Sequence, residues 1–242
     1  MEVLLPLKDA VTDVISSGSN GGYARGNNFG ILHALKNYAS DYIFVANPDV
    51  SFSEETAMEM VQALKKNPRY GIVAPNVKQG CNAWALPGFA GVVQSLFLIA
   101  FTLHKKRIRR KITNSPMELV PVGVAEGSFF AISSDAYKAA RGFDERTFLY
   151  SEEIIMAQRL LSAGYKEAVL RDHYYDHLHS ASIKKLYHSS KAKAFHHFRD
   201  SFRIYNRYYL HTNRLQNKLF DLAYEVALLE RHIYDRVYKL LP

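Results

Sequence analysis

Apolar positions along this chain follow two regimes. Up to Ser182 they fall in short runs broken by glycine, proline and acidic residues. Beyond Ser182 they recur at steps of three and four. In the first regime Tyr42–Ala46, YIFVA, is a short apolar run rich in β-formers and predicts a buried strand. Val11–Ser16 and Gly71–Ala74, the latter just ahead of Pro75, predict further strands. Helical spacing appears in Ile31–Tyr38 and again over about Glu54–Lys66, where Ser53 is placed to cap and two glutamates fall in the first turn. Ser17–Gly30, SGSNGGYARGNNFG, holds five glycines and reads as a loop leading into a helix. Val120–Ser133 returns to strand character, and Ser151–Ala163 opens a helix on Ser-Glu-Glu. This alternation predicts an α/β layered domain with a largely parallel sheet over residues 1–182. Residues 183–242 show no strand signal and read as a helical extension.

In that extension Leu215, Leu219, Leu222, Val226, Leu229, Ile233, Val237 and Leu240 form one apolar stripe. Phe195, Phe198, Phe202, Tyr205 and Tyr209 form another. The expected outcome is a hairpin that buries the two stripes together, with Tyr224 and Arg231 facing water. The alternative is self-association as a homodimer. Phe89–Leu103 is also apolar, but a bilayer span needs about 20 residues. Lys105, Lys106, Arg107, Arg109, Arg110 and Lys111 follow at once. The pattern suits a buried helix or a segment lying on an anionic membrane surface.

Composition narrows the partners. Hydrophobic residues make up 48% of the 242, enough to bury a sizeable core. The net charge of +8 favours anionic partners: nucleoside diphosphates, anionic lipid or nucleic acid. The cations cluster beside an apolar segment instead of alternating with exposed aromatics, which argues against nucleic acid. The single cysteine, Cys81, excludes an intrachain disulfide and a cysteine-rich metal site, and fits a reducing, cytoplasmic setting. The first residues turn acidic before any long apolar stretch, so no signal peptide is expected.

Four segments carry candidate chemistry. Asp49 follows the YIFVA strand and should project from the carboxyl edge of the sheet, where ligands of open α/β sheets bind. A hard oxygen ligand there suits Mg²⁺ or Mn²⁺ carrying a diphosphate, although Asn-Pro-Asp is also ordinary turn chemistry. In Asn20–Gly30 glycines permit close backbone approach, asparagines offer donors and acceptors, and Arg25 can meet a phosphate. No GK[ST] follows, so this is not a P-loop. Glu152 and Glu153 sit in the first turn of a helix, whose dipole favours the ionised form that a general base needs. Finally, His177, His179 and Ser182 follow Asp172-His173, and from a loop one histidine can reach a metal or phosphate.

In this order and spacing the four segments resemble the bacterial family 2 glycosyltransferases of the GT-A fold, in particular the rhamnosyltransferase-like branch. That family has an N-x-G-[FY]-A-x-G-x-N-x-G loop, matched by Asn20–Gly30, and then a strand ending in a D-x-D-type element, matched by Asn47-Pro48-Asp49. Its later G-FDE and Y-x-E-D elements match Gly142–Glu153, and its H-x-H-x-x-S element matches His177, His179 and Ser182. FHHFRD, from Phe195 to Asp200, is similar to a helix that follows in the family, with Asp in place of Asn. The resemblance implies an inverting hexosyltransferase. It would move a sugar, rhamnose as the leading guess, from a nucleotide diphosphate-sugar to a cell-surface polysaccharide or lipid-linked acceptor, at the inner face of the membrane. It further implies a metal on Asp49 and a catalytic base at Glu153 with Glu152 beside it. Donor contacts would come from Asn20, Gly22, Arg25, Asn28, Asn47, His177 and His179. Two departures stand out. Ile155 replaces a second acid, and the family's first two strands, one with a nucleotide-binding aspartate, have no counterpart before Asn20. An unpaired sheet edge is therefore expected, and the alternative function is a catalytically inactive fragment or partner subunit of such an enzyme.

Overall fold

In the computed structural model, which describes residues 8, 9, 11–178 and 191–238, most of the glycine-rich segment is helix and not loop. Helix α1 (Gly22–Tyr38) buries Ala24, Asn28 and Ile31, which fall at steps of four and three. That buried face outweighs the poor helix propensity of Gly26 and Gly30. Nor do residues 11–16 form the expected strand. They run along α1, where the Asp13 carboxylate accepts the Tyr38 hydroxyl and meets His33 Nε2 at 2.9 Å.

The next elements are β1 (Tyr42–Ala46), β2 (Val50–Phe52), α2 (Glu54–Lys66) and β3 (Tyr70–Val77). Helix α2 starts as the sequence predicts, with the Ser53 hydroxyl accepting the Thr56 N–H at 3.1 Å. Then come β4 (Ala83–Trp84), α3 (Phe89–Ser95), α4 (Leu98–Thr113), β5 (Leu119–Val122), β6 (Val124–Ala125) and β7 (Phe129–Ser133). After these follow α5 (Ser134–Ala140), α6 (Glu152–Ser162), β8 (Lys166–His177), α7 (Lys191–Tyr208) and α8 (Arg214–Tyr238).

The main sheet has the order β1-β7-β3-β8-β2, with β5 also pairing β8. Only β3–β8 is parallel among the described pairings; β1–β7, β3–β7, β2–β8 and β5–β8 are antiparallel. The expected largely parallel sheet is thus a mixed one, and the reason is an insertion. Strands β1 and β3 do run the same way, joined across α2, but β7 arrives later in sequence and enters between them in the opposite sense. The direction shared by β1, β3 and β8 still brings their carboxyl ends to one edge. At the other margin, β1 pairs only with β7 among the described residues.

Alternation along the central strands fills two layers. Phe129 and Ala131 of β7, with Val73 and Val77 of β3, pack under Met60, Ala63 and Leu64 of α2. Phe130, Ile132, Ile72 and Ala74 point the other way, toward Ala24, Ile31, Ala136, Met156 and Leu160. A third cluster joins α3, α6, α7 and α8, so Ile154, Ile155 and Ala157 of α6 pack against Phe195, Phe202, Tyr205, Phe220 and Tyr224. Helix α6 is therefore buried on most of its circumference. Ile155, where the family has an acid, is in this core.

The α7–α8 hairpin forms, but through a different face of α8 than expected. Phe220, Ala223, Tyr224 and Ala227 are buried. The Tyr224 ring stacks on Phe195 at 4.7 Å, and the Arg231 guanidinium lies 3.6 Å over the same ring. Aromatic side chains bury more area and gain from ring geometry, so they win over the leucine stripe. Leu215, Leu219, Leu222, Val226, Leu229 and Ile233 are left exposed. Phe89–Leu103 breaks into the end-to-end helices α3 and α4. Among the described residues no helix is long and apolar enough to cross a membrane.

Candidate active site

The antiparallel register of β2 on β8 sets Val50 opposite His177. One residue further out, Leu178 donates its N–H to the Asp49 carbonyl at 2.9 Å. This register lays the Asp49 side chain beside the His177 ring, with Oδ1 3.4 Å from Nε2. Both sit at the carboxyl edge shared by β1, β3 and β8. The other ring nitrogen, Nδ1, faces Glu126 Oε1 at 3.7 Å. Glu126 follows β6 and is held by its N–H, which donates to the Asn82 carbonyl at 2.8 Å. Glu126 is not marked out by its sequence context, which has continuous strand character over Val120–Ser133. Its signal was an acid within an otherwise apolar run, a costly placement unless the carboxylate has a partner.

The neighbouring backbone carries this centre to α6. Gly127 donates its N–H to Glu153 Oε1 at 3.3 Å and accepts the Tyr23 hydroxyl at 2.5 Å. A Cβ at Gly127 would lie 2.5 Å from the Tyr23 hydroxyl and 2.9 Å from Glu153 Oε1, so any larger residue would push both groups aside. Just before α6, Tyr150 and Ser151 both adopt left-handed backbone, with φ of 74° and 66°. Such conformations cost of order 1–3 kcal/mol each for residues other than glycine and mark sites where geometry is imposed. Here they turn the chain so that Glu153 faces Gly127. Helix α7 clamps the turn from outside, where Ser201 donates its hydroxyl to the Leu149 carbonyl at 2.9 Å.

The two glutamates then part ways. Glu152 points into the protein, and burial, followed by the charge of Glu153, raises its carboxyl to about 8. Its buried Oε1 has no hydrogen-bond partner among the described residues. The helix dipole was expected to keep both acids ionised; for Glu152 burial dominates, and a neutral acid behind the site is no base. Glu153 is also raised, first by burial and then by Glu126, while the Gly127 N–H and Lys105 draw it back. A third buried acid, Glu167 on β8, is raised by burial to about 8 while accepting the Ala125 N–H at 2.6 Å. Tyr23 is pushed well up by burial and by Glu153 and Glu152.

The residues expected to hold the donor divide similarly. Asn28 is not directed at a ligand. Its Oδ1 accepts the Tyr137 hydroxyl at 2.8 Å and the Phe143 N–H at 2.9 Å, and its Nδ2 donates to the Phe143 carbonyl and Glu145. Gly22 has φ +85°, and a Cβ there would sit 2.1 Å from the Phe148 carbonyl oxygen, so its close approach is to protein backbone. Asn20 Oδ1 accepts the Gly22 N–H at 3.1 Å, an N-terminal turn ahead of α1. Arg25 is exposed on α1. Asn47, two residues before Asp49, donates its N–H to the Ser128 carbonyl at 2.8 Å. His179 and Ser182 lie outside the described residues.

No family model matches the chain. Among curated proteins it is similar to the hexosyltransferase Agl10 of low-salt glycan biosynthesis from Haloferax volcanii, 24% identical over 92% of this chain and 69% of that protein. It is also similar to the N-acetylglucosaminyl-diphospho-decaprenol L-rhamnosyltransferase of Mycobacterium tuberculosis, 26% identical over 63% of this chain and 54% of that protein. Among solved structures it matches the mannosyltransferase PcManGT from Pyrobaculum calidifontis, in complex with GDP-Man and Mn²⁺, with a TM-score of 0.51 and 15% identity over 90% of this chain and 56% of that one. The fold is that of the GT-A glycosyltransferases. The chain spans little more than half the length of the mycobacterial and archaeal-mannosyltransferase proteins it matches.

Within this GT-A frame the edge residues fit a divalent cation. Adjacent ligands on a small divalent ion bound at about 2.1 Å lie about 3 Å apart, and Asp49 Oδ1 and His177 Nε2 are 3.4 Å apart. A carboxylate oxygen is a ligand that both Mg²⁺ and Mn²⁺ accept. Glu126, 3.7 Å from the far ring nitrogen, lies where an outer carboxylate would orient a ligating histidine.

Proposed function

We propose that this chain is an inverting glycosyltransferase, moving a sugar such as rhamnose from a nucleotide diphosphate-sugar onto a polysaccharide or lipid-linked glycan acceptor. The observation that carries the reading is the meeting of Asp49, His177 and Glu126 at the carboxyl edge of the sheet, with Glu153 reached through Gly127. Asp49 and His177 would hold Mg²⁺ or Mn²⁺, which when bound supplies charge stabilisation for the diphosphate leaving group. Glu153 accepts the proton of the acceptor hydroxyl. The hydroxyl oxygen bonds to the anomeric carbon as the bond to the diphosphate oxygen breaks. Burial and Glu126 raise this carboxyl, the direction that makes a carboxylate a better proton acceptor. Inversion needs one base and no carboxylate nucleophile, and Glu152, held neutral behind the site, is consistent with that count. The similarity to rhamnosyl- and hexosyltransferases supports the sugar class. The exposed cations of α4 would hold the enzyme against anionic lipid, where a lipid-linked acceptor resides.

The test pairs two substitutions. Asp49→Ala is expected to abolish Mn²⁺-dependent binding of nucleoside diphosphate in calorimetry with the melting temperature unchanged. His173→Ala serves as a control, because Glu59, Glu118 and His173 form another set of ligand atoms within 4.8 Å of one another. Glu153→Gln is expected to lower transfer at least ~100-fold with donor binding retained. Undiminished Mn²⁺-dependent binding in Asp49→Ala rejects the metal assignment, and near-normal transfer by Glu153→Gln rejects the base.

A further inference from the structure

Helix α8 has two apolar faces, and the fold uses one. Phe220, Ala223, Tyr224 and Ala227 are buried in the cluster that joins α8 to α3, α6 and α7. Leu215, Leu219, Leu222, Val226, Leu229 and Ile233 lie on the opposite side, each between 50% and 75% exposed. The exposed set is spaced 4-3-4-3-4, a strict heptad. Leu219, Val226 and Ile233 occupy the a positions, and Leu215, Leu222 and Leu229 the d positions. Apolar residues at every a and d position form the continuous seam that knobs-into-holes packing between two helices requires. We propose that this face is an interface, and that its occupant is α8 of a second copy of the same chain.

Three observations choose a second copy over a bilayer. First, the spacing is 3.5-periodic along the whole exposed face, as knobs-into-holes packing between helices requires; a helix lying in lipid needs only an apolar arc. Second, the residues flanking the stripe are of mixed sign, Asp221, Glu225 and Glu230 with Arg214 and Lys218, and Asp221 is already paired with Arg203 at 2.8 Å. A helix seated on anionic lipid carries cations at those positions. Third, six side chains of this size, each at least half exposed, offer on the order of 600 Å² per copy, at the upper end of what monomers leave open and approaching the ~800 Å² per partner of a standard interface. Orientation follows from charge. Glu230 is fixed by accepting the Leu98 N–H at 3.0 Å. A parallel pair would set Glu225 of one copy against Glu230 of the other, so the pair is antiparallel. None of this depends on the sugar-transfer reading, because the face lies apart from the residues assigned to that chemistry.

The test is sedimentation or light scattering on the full chain from about 1 to 100 µM, which reaches the weak, micromolar end of the range that interfaces near this size span. The wild type is expected to be a dimer. Leu222→Asp with Leu229→Asp is expected to be a monomer with unchanged circular dichroism and melting temperature, since both side chains are exposed within the protomer. The milder Leu222→Ala with Leu229→Ala, which keeps helix propensity high, is expected to raise the dimer dissociation constant at least ~10-fold. A monomeric wild type overturns the proposal. So does a dimer that both pairs of substitutions leave intact. A monomer whose flotation on anionic vesicles is lost in the Asp variant also overturns it and assigns the stripe to lipid.

Discussion

Asn28 spends its whole amide on the protein. It closes the Gly142–Glu145 loop onto α1 through three hydrogen bonds, two of them to the Phe143 backbone, and accepts a fourth from the Tyr137 hydroxyl. An asparagine in a glycine-rich segment reads as a ligand-binding residue from sequence because the amide can serve either end; only packing decides which. Removing it leaves buried donors and acceptors unpaired, each costing about 1–3 kcal/mol. Asn28→Ala is therefore expected to lower unfolding free energy by roughly 2–4 kcal/mol in urea titration, with nucleotide affinity of the folded fraction unchanged. An unaltered stability with weakened nucleotide binding would return Asn28 to the donor site. At this scale the sequence showed which residues end strands and open helices, hence Asp49 and Glu153. It did not show Glu126, whose place depends on β6 folding against β4 and on the ring of a histidine 51 positions away in sequence.

Helix α6 illustrates how an element's surroundings override its own electrostatics. Its first turn holds Glu152 and Glu153, which the helix dipole favours as anions. Packing on both sides buries Glu152 and lifts it to about 8, and burial does the same to Glu167 on β8. Both groups have folded values above their ordinary 4.5. The stability they contribute as neutral acids is complete below about pH 4.5 and is lost as pH rises through 8. The protein is accordingly expected to melt lower at pH 8.5 than at pH 6. Glu167→Gln, which can still accept the Ala125 N–H, should shrink that difference by a few degrees. An unchanged difference in differential scanning calorimetry would show that Glu167 does not carry it. Elements with local signals were legible in the same sequence: the Ser53 cap gave α2 its start, and YIFVA gave β1 its bounds. The entry of β7 between β1 and β3 was not, because strand order is a long-range property that no window of sequence contains.

Over the whole molecule, the net charge of +8 is unevenly spread. Acids gather at the candidate active site, and cations gather on α4. Of the six cations expected to face outward, Lys106, Arg107, Arg109, Arg110 and Lys111 are exposed. Lys105 instead turns in, 5.7 Å over the Trp84 ring and 5.3 Å over Phe101, where its charge also reaches Glu153. Ile99 and Leu103, one to two turns earlier on α4, are exposed as well. An apolar start and a cationic end on one helix give it both contacts that an anionic bilayer offers. Each cation near such a surface is worth about 1 kcal/mol, so neutralising all five should weaken partitioning by on the order of 10³-fold. Vesicle flotation is expected to require anionic lipid, to fall as salt shortens the screening length, and to be lost when the five are changed to glutamine. Lys105→Gln is expected to float like the wild type, because its charge is already committed inside. Equal flotation of wild type and the five-fold variant would leave α4 as a helix whose cations serve only solubility.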